Sequence, residues 1–175
     1  MRNTISIMFF AICLCSTGCH ASMTGKVVDA ETGKPVDGAV LLVEWLKTKG
    51  MIGLTYRTTA KAVELFSDKD GNVIIPGYFN PFAEGPYITI YKPGYVAWNS
   101  QYIFPGYRKR DDFDLKDGYV FKLEKFRNNY SHDSHISFIH GAIGTDLSKQ
   151  KINIMSAIRQ EERSALTERQ NYKSK

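Results

Sequence analysis

Ala39-Val40-Leu41-Leu42-Val43-Glu44-Trp45-Leu46 is an octet with seven apolar side chains and one carboxylate. Successive side chains of a strand point to opposite faces, so Leu41, Val43 and Trp45 share one face and Val40, Leu42 and Glu44 take the other. A short run that is mostly apolar on both faces reads as a central strand. Residues 25–28 precede it as a first short strand, closed by the turn-forming Asp29-Ala30-Glu31-Thr32-Gly33-Lys34-Pro35. Residues 55–66, rich in threonine and valine, follow as a third strand and lead into Ser67-Asp68-Lys69-Asp70-Gly71-Asn72. Glycine takes positive φ at no steric cost, and aspartate and asparagine bond to their own backbone, so this hexapeptide reads as a tight hairpin turn. Val73 and Ile75 continue the chain until Pro76-Gly77 stops it. Beyond an aromatic loop over residues 78–86, Tyr87-Ile88-Thr89-Ile90-Tyr91 alternates with Ile88 and Ile90 facing inward. Lys92-Pro93-Gly94-Tyr95 turns the chain, and residues 96–98, 101–104 and 119–123 supply further short strands. Many short strands punctuated by glycine, proline and aspartate make a β-sandwich.

Five pieces of this stretch share one resemblance: Gly25-Lys26-Val27-Val28-Asp29, Thr32-Gly33-Lys34-Pro35-Val36, Gly38-Ala39-Val40, Ser67-Asp68-Lys69-Asp70-Gly71-Asn72-Val73 and Tyr91-Lys92-Pro93-Gly94-Tyr95. In order and spacing they resemble the carboxypeptidase regulatory-like domains, over about residues 23–125. The resemblance implies a mainly β chain, a transthyretin-like or Ig-like seven-stranded Greek-key β-sandwich, here with a C-terminal α-helix added. Residues 47–63 are longer than the family pattern and residues 105–118 are an elaboration; both are expected to extend from one end of the sandwich, where a scaffold carries specificity. The chain divides into residues 1–18, a signal peptide; 19–126, the sandwich; and 127–175, a linker and an amphipathic helix.

The first residues fix the compartment. Arg2 gives a positive start and residues 5–14 are almost wholly apolar, which is the layout of an export signal and too short for the ~20 residues of a membrane-crossing helix. Ser16-Thr17-Gly18-Cys19 resembles a bacterial lipobox, which implies lipid attachment at Cys19 and a membrane-anchored lipoprotein of the cell envelope, on its periplasmic or surface side. Lipoboxes usually place leucine three residues before the cysteine, where this chain has Ser16, and a conventional cut near Ala21 is the alternative. All three cysteines, Cys13, Cys15 and Cys19, lie in this segment, so the mature domain is held together by burial and not by internal disulfides. Without residues 1–18 the chain keeps 22 basic and 18 acidic side chains, interspersed along its length. A nucleic-acid partner would call for a basic stripe, so none is expected.

After Phe126 the composition changes. Residues 128–135 are polar and read as turn-like, and from Asp146 a helical period begins, with Leu147, Ile154, Ile158 and Ala165 on one stripe and Met155 and Leu166 beside it. Thr145 or Ser148 is the expected cap. The last turns, from Thr167 on, have little to bury and are expected to fray. The helix is expected to lie against the sandwich, with contact to a partner or second copy as the sharper alternative.

Chemistry-bearing patterns are weak. Asp68-Lys69-Asp70-Gly71-Asn72 looks like the start of a calcium loop, but that loop needs a later bidentate glutamate and flanking helices, whereas a strand follows. His132-Asp133-Ser134-His135 with His140 offers imidazoles on a polar linker, too few for a closed zinc site. No nucleophile elbow or His-Glu-x-x-His is present, and no cysteine follows Cys19. The histidine and tyrosine pattern of transthyretin-like hydroxyisourate hydrolases is absent too. Arg108-Lys109-Arg110 is followed by Asp111, Asp112 and Asp114, which cancel it as a basic patch. Catalytic residues, metal and cofactor are therefore all expected to be none. Ten aromatics crowd residues 78–107; most are expected in the core, with Tyr78, Phe82, Trp98 and Tyr107 as candidate ligand contacts on loops. The expected role is a non-catalytic binding or accessory module touching an envelope protein or glycan. Two alternatives are a small periplasmic hydrolase or metal-dependent enzyme using residues 132–140, and a periplasmic inhibitor or immunity-like protein acting through residues 47–63 or 105–118.

Overall fold

A computed structural model describes residues 21–51, 53–143 and 151–173. The export segment with Cys19, and Thr145, Leu147 and Ser148, lie outside the described residues. The strands run β1 (Met23–Asp29), β2 (Val40–Met51), β3 (Leu54–Phe66), β4 (Asn72–Ile75), β5 (Ala83–Tyr91), β6 (Trp98–Asn99), β7 (Tyr102–Ile103), β8 (Arg108–Lys109) and β9 (Tyr119–Leu123), followed by helices α1 (His132–Ile143) and α2 (Ile152–Lys173). One sheet has the order β3-β2-β5-β6, the facing sheet β4-β1-β9, and β7 with β8 makes a small ribbon. The chain is mainly β, a sandwich with helices added at its C-terminal end.

The octet at 39–46 occupies the centre of the larger sheet, as its two apolar faces require. Leu41, Val43 and Trp45 pack between the sheets with Val27, Ile75, Ile88, Ile90, Phe121 and Leu123. Val40 and Leu42 face the other way, into a second core with Tyr91, Phe104, Phe138, Ile139, Ile154 and Ile158. The molecule thus has three layers, and the larger sheet is buried on both sides because α1 and α2 cover its outer face. Asp133 at the start of α1 pairs with Arg169 near the end of α2, and the carbonyl of Ile143 at the end of α1 accepts a bond from Lys151 just before α2, so the two helices run antiparallel.

Three features depart from the sequence reading. Residues 67–72 do not close a hairpin: β3 and β4 belong to opposite sheets, so the hexapeptide is an arch between layers. Its chemistry is the expected one, since the Asp68 carboxylate accepts from the amides of Asp70 and Asn72. The segment 128–135 is not only a linker, because α1 begins at His132, and the chain ends in two helices and not one. Third, β9 joins β1 in parallel, from Gly25 opposite Tyr119 to Asp29 opposite Leu123, a long-range pairing that no local pattern announces. The 47–63 extension is a hairpin, with Met51 opposite Leu54 at its tip.

Gly71 sits at φ +77, and its carbonyl accepts from the amide of Val27 at 2.7 Å. A Cβ at this position would collide with the Val27 carbonyl oxygen. The strain of a side chain at this φ and against that oxygen outweighs the freedom a Cβ removes from the unfolded chain, so Gly71→Ala should cost roughly 1–3 kcal/mol in urea unfolding. A change within error of zero would contradict the tight approach of the arch to β1.

Candidate functional site

Glu161 stands on the apolar stripe of α2, three residues after Ile158, and its carboxylate is buried against the sheet. A buried carboxylate is costly unless hydrogen-bonded. It has three donors here: the Tyr91 hydroxyl from β5 donates to Oε2 at 2.7 Å, and Nδ1 of His132 and of His135 from α1 lie 2.5 and 3.1 Å from Oε1. The backbone amide of Ala97 donates to Nε2 of His135 at 2.9 Å, which leaves Nδ1 as the nitrogen that donates to Glu161. Both His135 nitrogens are thereby used. The His132 ring stacks on Phe126 with centroids 4.5 Å apart and lines a cleft of about 320 Å³ with Pro93, Gly94, Gln160 and Ser164. Burial works to raise the Glu161 pKa, but the bonds from His135, His132 and Tyr91 outweigh it and hold the carboxyl at about 2. Burial first, and the bond to Glu161 second, push the Tyr91 phenol well above its ordinary range.

A second polar cluster pins the start of α2. Lys151 is buried, and its Nζ donates to Glu44 Oε1 at 2.8 Å and to the Ile143 carbonyl at 2.6 Å. Glu64, from β3, accepts the amides of Asn153 and Ile154, each at 2.8 Å. Those amides are orphan donors of the first turn, and a carboxylate there also meets the positive end of the helix dipole.

The candidate aromatics are spread over three places. Trp98 is a core residue, edge-on to Phe113 and Phe121 with the Arg110 guanidinium 4.6 Å above it. Tyr107 packs on Phe138 of α1. Tyr78 leans on Trp45 with Lys61 over both rings, while Phe82 in the same loop is exposed. The histidines of 132–135 do come together, through a carboxylate 26 and 29 residues away, whereas His140 is five residues beyond His135, about 140° round the helix. Arg110 and Lys109 pair with Asp112 and Asp111, as the sequence suggested.

Tyr91, Glu161, Lys151, Glu44 and Glu64 escaped the sequence reading. Two signals were present: a lone carboxylate inside the octet, and charges at 151 and 161 on the stripe of Ile154, Ile158 and Ala165, with spacings of three and four.

No protein-family model matches the chain, and no curated protein matches it. Among solved structures it is similar to the group B streptococcus pilus 2b backbone protein, at 17% identity over 60% of this chain and 41% of that one, with a TM-score of 0.34. A 3-chlorocatechol 1,2-dioxygenase from Rhodococcus opacus gives 19% identity, 61% and 60% coverage and a TM-score of 0.36. A shaft pilin SpaA from Lactobacillus rhamnosus GG gives 19% identity, 63% and 47% coverage and a TM-score of 0.31. The chain spans 41–60% of the lengths of these three proteins. At such TM-scores none of them carries an activity or a partner across to this chain.

The Glu161 carboxyl is depressed in the folded state, so the stability it contributes is complete above its ordinary value of 4.5 and drains as pH falls toward about 2. The advantage of wild type over Glu161→Gln in urea unfolding should therefore be largest at neutral pH and shrink across that window. An advantage independent of pH would contradict the bonded, ionised state of the cluster.

Proposed function

We propose that the protein is a non-catalytic cell-envelope lipoprotein, tethered by a lipid on Cys19, whose carboxypeptidase regulatory-like sandwich serves as a binding or accessory module for an envelope protein or glycan. One observation carries the non-catalytic part: the buried titratable groups are consumed by fastening. His135 spends one nitrogen on the Ala97 amide and the other on Glu161, which leaves it neither a free base nor a metal-binding lone pair. Glu161 accepts from three side chains, and Lys151 donates to a carboxylate and a carbonyl. The hydrolase or metalloenzyme reading of residues 132–140 needs these same atoms for chemistry.

The envelope part rests on the apolar run at 5–14 and on Ser16-Thr17-Gly18-Cys19. Among the described residues no helix is long and apolar enough to cross a membrane. Binding is assigned to the loops and the hairpin at the ends of the sandwich, because α1 and α2 cover the outer face of the larger sheet.

Metabolic labelling with palmitate tests the anchor. Wild type should incorporate label, sediment with membranes and have a mature mass that starts at Cys19 and includes the lipid, and Cys19→Ser should lose the label. An unlabelled wild type with a mature mass starting near Ala21 would overturn the lipid reading.

A further inference from the structure

The hairpin of β2 and β3 reaches past the rest of its sheet. These strands stay paired out to Met51 and Leu54, whereas β5 parts from β2 at Lys47, opposite Ala83. Directly opposed residues of an antiparallel pair share a face. Met51 with Leu54 and Lys49 with Tyr56 therefore form one surface, on which Met51 is 80%, Leu54 83% and Tyr56 61% exposed. Phe82, one residue before the partner of Lys47, lies at the same end and is 83% exposed. Clustered large apolar side chains in water mark a surface that something covers.

Two further observations say what covers it. Ala21 and Met23 line a cleft with Trp45, Tyr78 and Phe79, so the described chain starts at this same end. Cys19 is two residues before Ala21, which keeps its Cα within about 7 Å of that of Ala21 however the chain runs. The charge agrees: residues 47–63 hold Lys47, Lys49, Arg57 and Lys61 and no acidic residue. Arg57 is paired with Glu84 and Lys61 lies over the rings of Trp45 and Tyr78, while Lys47 and Lys49 place positive charge along the protruding strand.

We infer that this end of the sandwich, through Met51, Leu54, Tyr56 and Phe82, seats on the anionic lipid surface that holds the N-terminal anchor. The inference rests on the lipoprotein reading above. The apolar tips enter the headgroup boundary, the Tyr56 ring sits at the interface, and Lys47 and Lys49 meet lipid phosphates. A tether this short then fixes orientation as well as location, and turns the 29–35 end of the sandwich outward.

Cleavage at Cys19 or near Ala21 removes Cys13 and Cys15, and acylation blocks the Cys19 thiol, so an introduced cysteine is the one reactive thiol of the mature chain. Leu54→Cys, Phe82→Cys and, at the far end, Lys34→Cys would each carry an environment-sensitive fluorophore on the full mature protein in vesicles of phosphatidylethanolamine and phosphatidylglycerol. Nitroxide lipids should quench positions 54 and 82 several-fold more than position 34, with blue-shifted emission at the first two. Equal quenching at all three in a chain whose mass shows the lipid would overturn the seating and leave the anchor standing. Shielding of 54 and 82 that grows with protein concentration and not with lipid would also overturn it, since a second copy would then be the occupant. A chain that carries no lipid and gives solvent-like emission at all three positions would overturn both.

Discussion

A carboxylate placed in an apolar interface must find donors or be expelled, and Glu161 is the group on which the arrangement of the layers depends. Its donors come from two other elements: Tyr91 from the central part of the larger sheet, and His132 and His135 from α1. One side chain of α2 therefore ties three elements at a single point. The energy of the interface lies elsewhere. Phe138, Ile139, Ile143, Ile154 and Ile158 are essentially fully buried, and at about 1.5–3 kcal/mol each, as an upper estimate, their burial outweighs what a few hydrogen bonds contribute net. Apolar contact alone would tolerate sliding or rotation of the helices over the sheet. A misplaced helix would leave the Glu161 charge unpaired, so the polar cluster selects one arrangement from the many that burial permits.

The same logic repeats at the start of α2, where Lys151 reaches Glu44 of the central strand and Glu64 takes the first amides of the helix. The helix is thus fixed near its start by β2 and β3 and midway by β5 and α1. The consequence for function is subtractive. With α1 and α2 over its outer face the larger sheet is covered, whereas the loops, the long hairpin and the outer face of the smaller sheet, where Ile74 and Val120 lie, stay open to solvent. The apolar tip of that hairpin and the first described residues share one end of the sandwich.

Much of the sandwich was legible because strands carry their evidence locally. The alternation of Leu41, Val43 and Trp45 against Val40, Leu42 and Glu44 marked the central strand, and the strand ends at 66 and 91 fall where the turns predict. What escaped depends on distant partners. His135 reads as a polar linker residue until Glu161, 26 residues on, makes its burial affordable, and with His135 discounted the stripe of α1 loses its first member. Ser131, whose hydroxyl accepts the Ser134 amide at 3.4 Å, together with Phe138, Ile139 and Ile143, was the available sign of that helix. The parallel pairing of β1 with β9 joins residues nearly a hundred apart, and the arch at 67–72 uses the same residue types as a hairpin turn, so neither could be distinguished by composition. Trp98 was legible as an aromatic near a loop but not as a core residue, because its neighbours Phe113 and Phe121 arrive from a later strand and the loop before it.

If the polar fastenings make helices and sandwich a single cooperative unit, native-state hydrogen exchange shows it most directly. Amides around Phe138, Ile139, Ile154 and Ile158 should open with the same free energy as those of Leu41, Leu42 and Val43 in the central strand. Helical amides that exchange through a separate, much easier opening while the central strand stays protected would contradict it.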